Sequence, residues 1–123
     1  MRYYIYILFY LLIQTQLFSQ SNSEDQALID NATSDKEKIH VLNNLFLKYE
    51  FSDTSKAKSF LNRSNQIAHR TNLTEEKSDI NLYFGYFMED RGLYDSALYY
   101  YDKAINFARK SNDQFRIANT LNN

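Results

Sequence analysis

Slid along itself by forty positions, this 123-residue chain repeats its own pattern. Ala57 falls on Ala97, Leu61 on Tyr101, Ser64 on Ala104 and Ala68 on Ala108. Arg63 meets Lys103, Ile67 meets Phe107, Phe46-Leu47 meets Tyr86-Phe87, and Arg70-Thr71-Asn72 meets Lys110-Ser111-Asn112. A fixed offset of this size marks one supersecondary unit used more than once, each copy burying its apolar face against the next. The unit is helical. Ile39, Leu42, Leu45, Phe46 and Tyr49 recur at helical spacing, as do Ala57, Phe60, Leu61, Ser64, Ile67 and Ala68. So do Ile80, Phe84, Phe87 and Met88, and then Ala97, Leu98, Tyr101, Ala104, Ile105 and Ala108. Proline is absent and only Gly85 and Gly92 are glycine, too little turn chemistry for a sheet protein. Small residues at Ala57/Ala97 and Ser64/Ala104 let helix axes approach to the short end of the usual ~8–10 Å range. The expected fold is all-α, a stack of antiparallel helix hairpins.

Local signals mark the helix ends. Ser34-Asp35-Lys36-Glu37 has the form of a capping box. Ser52-Asp53 starts a second helix, and Asn72-Leu73-Thr74-Glu75 reads as another N-terminal box. Gly92 suits the left-handed position after a third helix, and the matched Asn72 and Asn112 suit the same role. A fifth helix starts near Asp113.

The stretch from Leu82 to Ala104 resembles a tetratricopeptide repeat (TPR). The family pattern is a large apolar residue followed by Gly, a Gly-x-Tyr turn, Ala, an aromatic residue and Ala. Phe84-Gly85, Gly92-x-Tyr94, Ala97, Tyr101 and Ala104 meet it in order. An earlier, degenerate unit spans about 38–71, with Leu45, Ser52 and Thr54 in place of the two glycines and the tyrosine, while Ala57 and Leu61 fit. The clear unit spans about 78–111, and a truncated third starts from about 113. The family's usual period is about 34 residues; forty is similar to the longer bacterial variety. The resemblance covers roughly 34 to 123 and implies a short right-handed solenoid. It implies repeat-packing roles for Gly85, Gly92, Tyr94, Ala57, Ala97, Tyr101 and Ala104.

Residues 1–20 read as a signal peptide. Arg2 supplies a positive start, Tyr4 to Ile13 is an unbroken apolar and aromatic run, and Gln14-Thr15-Gln16 interrupts it. A helix needs about 20 apolar residues to span a bilayer, so the run is short for an anchor. Ser19 and Ser21 permit cleavage after Ser21; cleavage between Ser19 and Gln20 is the alternative. The Phe18-Ser19-Gln20 ending resembles the leaders of exported Bacteroidetes proteins, and favours the latter. Residues 21–33 read as a linker, polar over 20–26, or a short lead-in helix at Ala27-Leu28-Ile29. The expected location is exported, either periplasmic or membrane-associated. Membrane contact is expected only through an uncleaved leader or a missing C-terminal part.

The charge, −1, falls to −2 once Arg2 leaves with the leader, and no basic run exceeds two residues. A nucleic-acid partner has no electrostatic footprint here. Cysteine is absent, which removes disulfides, thiolate metal sites and a Cys nucleophile. His40 and His69 fall on different helices without metal-ligand spacing, and Glu75-Glu76 and Glu89-Asp90 read as solvated helix charges. No catalytic residue, metal or cofactor is assigned, and the chain is read as no enzyme.

In TPR arrays the first helix of each pair lines the concave face. The resemblance therefore places Ile39, Leu42, Asn43, Phe46, Tyr49 and Glu50 there, followed by Asp79, Leu82, Tyr83, Tyr86, Glu89 and Asp90. From these, the candidate partner-binding groove is Phe46, Tyr49, Glu50, Asp79, Leu82, Tyr83, Tyr86, Glu89 and Asp90. It is aromatic and acidic, so the expected ligand is a protein or peptide segment that is basic or apolar. Packing of several of these rings against a neighbouring repeat or the N-terminal segment is the alternative. Solenoid units need about three copies for stability, so the chain reads as the front of a longer protein or a truncated frame. Two roles follow: a non-catalytic interaction module in the bacterial envelope, or the sensory N-terminal region of a membrane-bound histidine kinase or DNA-binding regulator.

Overall fold

The computed structural model describes residues 2–122. It contains six α-helices and, among the described residues, no strand: α1 (Arg2–Asn31), α2 (Asp35–Tyr49), α3 (Thr54–His69), α4 (Thr74–Glu89), α5 (Tyr94–Lys110) and α6 (Gln114–Leu121). The chain divides into two compact units, 1–32 and 33–123.

The first unit is α1, unbroken from Arg2 to Asn31. The polar stretch 20–26, read above as a linker, is helical, and the short lead-in is part of the same helix. Its residues include no Gly or Pro to stop the helix, and Gln20 to Glu24 (3.3 Å) and Gln26 to Asp30 (2.7 Å) bond at the i,i+4 spacing that supports one. The large apolar side chains from Tyr3 to Ile13 are exposed. No described helix is long and apolar enough to cross a membrane.

The second unit is a succession of helix hairpins. α2 packs on α3 and α4 on α5; α3/α4 and α5/α6 join the pairs, and α4 also touches α2 and α6. α3 and α5 begin at 54 and 94, and α4 and α6 at 74 and 114, so the forty-residue register of the sequence is the register of the helices. Ala57, Ala97, Ala104 and Ala108 are all buried, as is Tyr101, whereas Leu98 points to solvent.

The caps are uneven. Ser34 Oγ accepts from Glu37 N, but Glu37 reaches back to the N–H and hydroxyl of Thr33 rather than to Ser34, one residue earlier than the box pattern expects. Asp53 caps α3 by accepting from Lys56 N. The box expected at 72–75 does not form. Leu73 takes the N-cap place of α4 and offers no side-chain bond. After α4, Gly92 (φ +69°) is left-handed, with Gly92 N donating to Glu89 O and Leu93 N to Met88 O, a Schellman end. Asn112 (φ +56°) ends α5 the same way, with Asp113 N on Ala108 O. Asn72 does not adopt this conformation; α3 ends on bonds spanning three residues, from Arg70 N to Ile67 O and Thr71 N to Ala68 O.

The interiors differ between hairpins. In α4/α5, Leu82, Ala97, Tyr101 and Ala104 form a core cluster with Tyr86 and Met88 against it. The Tyr101 ring lies on Gly85, where an added Cβ would come within 2.1 Å of Tyr101 Cε1. The same two places in α2/α3 hold Leu45 and Leu61, both buried. Ser64 Oγ donates to Asn43 Oδ1 (2.7 Å) in the first hairpin, and Ser78 Oγ to the Ala104 carbonyl (2.8 Å) in the second. Two residues assigned to repeat packing behave otherwise. Gly92 has open space around it and is needed for its φ, and Tyr94, at the start of α5, is 65% exposed.

Candidate partner-binding face

The face built by α2 and α4 contains the residues expected to meet a partner, and the structure sorts them by burial. Phe46 and Leu42 are fully buried and Leu82 nearly so. Phe46 packs its ring against Tyr83 (5.6 Å between centroids) and Phe87 (6.3 Å), so it joins the two hairpins and offers no surface. Tyr49 is half-buried and stands on Phe60 (5.9 Å), with Lys56 over its ring at 3.9 Å. Its cation–π place is therefore taken from within the chain.

Two of the predicted acidic groups are also engaged internally. Asp79 receives Nε and Nη2 of Arg116 at 2.8 and 3.1 Å, a two-point bond from α6. Arg116 also bonds Asp113 and lies 3.7 Å from Glu75. The Asp79 bond, with Asp113 behind it, holds the guanidinium charged even more firmly than usual. Glu89 turns toward α5 and accepts from the Tyr101 hydroxyl. Burial, then that carboxylate, pushes the Tyr101 hydroxyl well above the ordinary phenol range.

What remains at the surface is a smaller constellation: Tyr83, Tyr86, Asp90 and the edge of Glu50. Tyr83 and Tyr86 are half-buried neighbours on α4, 6.3 Å between ring centroids, and Asp90 is exposed just beyond the helix. Burial raises the Tyr83 hydroxyl, with Asp79 adding to it. Glu50, 9% exposed, sits at the register-equivalent place to Asp90. Burial raises its carboxyl above the ordinary range and the Asp90 charge adds to that, with Arg91 opposing. Arg91 is committed elsewhere: its guanidinium lies 3.4 Å from the Phe87 ring centroid and donates to the Phe87 carbonyl. Comparison with family models, with curated proteins and with solved structures finds no match to this chain.

The Glu75-Glu76 pair, expected to be solvated, is split. Glu75 is exposed, whereas Glu76 is buried and meets Lys36 at 3.1 Å and His40 at 3.4 Å on α2. Burial pushes the Glu76 carboxyl up, but its own backbone N–H, Lys36 and His40 outweigh that and leave it lowered. Neither this residue's role nor that of Arg116 was read from the sequence. A signal existed: at forty-residue steps Lys36, Glu76 and Arg116 fall on one another, positive, negative, positive. Only the first step of that series is a direct pair: Glu76 meets Lys36 on α2, whereas Arg116 meets Asp79 and Glu75 on α4 rather than Glu76. His69 lies apart from His40 on the exposed side of α3, and no group of His, Asp and Glu among the described residues is arranged to hold a metal ion.

Proposed function

We propose that this chain is a TPR-type interaction scaffold, without catalysis of its own, that binds a basic or apolar segment of another protein on the α2/α4 face. The observation that carries the reading is the Glu50/Asp90 pair beside Tyr83 and Tyr86. A largely buried glutamate has its carboxyl held above the ordinary range, with a second carboxylate near it. A lysine or arginine placed there relieves both burial and repulsion, and the two tyrosines provide ring faces for its stem. The hairpin register supports the repeat type, and the apolar Tyr4–Ile13 run supports export to the periplasm or membrane surface. Binding of an immobilised peptide array tests the role. Lys- or Arg-bearing apolar peptides are expected to bind, and Glu50→Gln/Asp90→Asn to weaken them about tenfold with unchanged helicity. Preference for acidic peptides, or indifference to the double change, would sink it.

A further inference from the structure

Between α3, α4 and α5 lies a cavity of about 220 Å³ whose polar walls carry only neutral and basic groups. Asn65 and His69 come from α3, Lys77 and Asn81 from α4, and Lys103 from α5; no carboxylate lines it. In a chain of net charge −1 this is a local reversal of sign. The lysines are not spent on ion pairs. Among the described residues, Lys36, Arg70 and Arg116 are paired with carboxylates, whereas Lys77, Lys103 and His69 are not. Lys77 is half-buried, and its Nζ donates to the Thr71 carbonyl at 2.6 Å. An ammonium has three N–H donors, so two remain for another acceptor. The helix joint itself does not require this polarity. α5 and α6 make the equivalent joint with Ile105 and Ile117 at the register places of Asn65 and Lys77.

The remaining wall is aromatic. Phe84, buried on α4, stacks on Tyr100 of α5 with 5.0 Å between centroids, and Tyr99 meets Tyr100 edge-on at 5.2 Å; all three line the cavity. Lys103 Nζ lies 4.6 Å from the Tyr99 ring centroid, which keeps its charge beside the rings. A planar body finds ring surface here, and an anion finds two ammonium groups and two amides. A cation would meet both lysines with no carboxylate to offset them. A purely apolar occupant would cover Lys77 and the amides of Asn65 and Asn81 without giving them partners. The volume lies below the ~300 Å³ at which drug-sized pockets begin, and so suits about one ring with a short acidic group.

We infer that the α3/α4/α5 cavity is a binding site for a small aromatic carboxylate, its acid group held by Lys77 and Lys103 and its ring laid against Phe84, Tyr99 and Tyr100. Its lining includes neither Tyr83 nor Tyr86, so this site and the partner-binding face can fail separately. The probe is benzoate, titrated into the full chain and followed by amide chemical shifts. Benzamide, the same ring without the charge, and acetate, the charge without the ring, are titrated beside it. Saturable shifts on the cavity-lining parts of α3, α4 and α5 are expected with benzoate, and binding about tenfold weaker with each comparator. Lys77→Met is expected to weaken benzoate about tenfold and Lys103→Met about fivefold. Lys38→Met, on α2 and outside the cavity, is expected to change nothing. Lys77→Met also removes the bond to Thr71, so if it lowers helicity the exposed Lys103 decides the matter. No saturable binding overturns the inference, and so does binding of benzamide or acetate as tight as that of benzoate. Indifference to Lys103→Met, or an equal loss with Lys38→Met, overturns it as well, because the anion is then drawn by the charge of the chain and not by this cavity.

Discussion

The α2/α3 and α4/α5 hairpins share a register but close their interiors by different means. In the second, a glycine on α4 admits a tyrosine ring from α5; in the first, two leucines fill the same pair of places. The first hairpin starts its helices with side-chain caps from Ser34 and Asp53, whereas both helices of the second start at leucines that cap nothing. The second instead ends its helices well, with left-handed Gly92 and Asn112. The comparison teaches that the repeat conserves volume and helix placement, not residue identity. Small plus large can be exchanged for medium plus medium, and a start cap for an end cap.

The largest expected effect breaks this exchange. Gly85→Leu alone drives a branched side chain into the Tyr101 ring and is expected to cost at least about 3 kcal/mol, only slightly offset by better helix propensity. Tyr101→Leu alone leaves a cavity and removes the bond to Glu89, for a loss of about 2–4 kcal/mol. The double variant copies the Leu45/Leu61 pair of the first hairpin. It is expected to recover at least about 2 kcal/mol relative to the sum of the singles, read from urea unfolding as a coupling energy. Additive losses would show that the two hairpins do not share an interchangeable interior.

Much of this was legible in advance. The all-α hairpins, the Ser34 and Asp53 starts, the Gly92 end and the buried alanines follow from period and local chemistry, which act over a few residues. The groove was legible only in part, because a residue on a first helix faces both outward and toward the next first helix. Spacing cannot tell these apart. Phe46 and Leu82 went to the neighbouring helix, and Asp79 was claimed by Arg116 thirty-seven residues away. The equivalence of Asn72 with Asn112 failed for a related reason: composition permits a left-handed residue but does not compel one. At 20–26 polarity leaves linker and helix open, and α1 runs through the stretch with i,i+4 side-chain bonds at Gln20/Glu24 and Gln26/Asp30 supporting it.

A smaller effect sharpens the contrast through two buried glutamates. Glu76 has a lowered pKa, so its stabilisation is present above the ordinary carboxylate range and fades as pH falls through the lowered value. Glu50 has a raised pKa, so its contribution is fullest in acid, below the ordinary range, and is lost as pH rises through the raised value. At neutral pH, Glu76→Gln is therefore expected to destabilise by about 1.5–3 kcal/mol, the worth of hydrogen bonds to a charged group. Glu50→Gln is expected to stabilise slightly at neutral pH, and that gain to shrink in mild acid. Denaturant melts of both variants at two pH values check the signs; changes of the same sign at neutral pH would refute the assignment.

The smallest effect tests the helix ends. Gly92 is left-handed with open space around its Cα, so Gly92→Ala meets no clash and isolates the backbone cost, about 1 kcal/mol. Its register partner Ser52 is exposed and is not left-handed. Ser52→Ala is accordingly expected to stay within about 0.5 kcal/mol of the parent. Paired thermal melts compare the two directly. Equal losses would mean that the Schellman end of α4 contributes nothing beyond an ordinary turn, and that the second hairpin has no compensation for its missing start caps. A loss confined to Gly92→Ala would instead place the stop signal of the repeat at the one joint where the chain reverses with a left-handed glycine, consistent with the absence of side-chain caps on both helices that flank it.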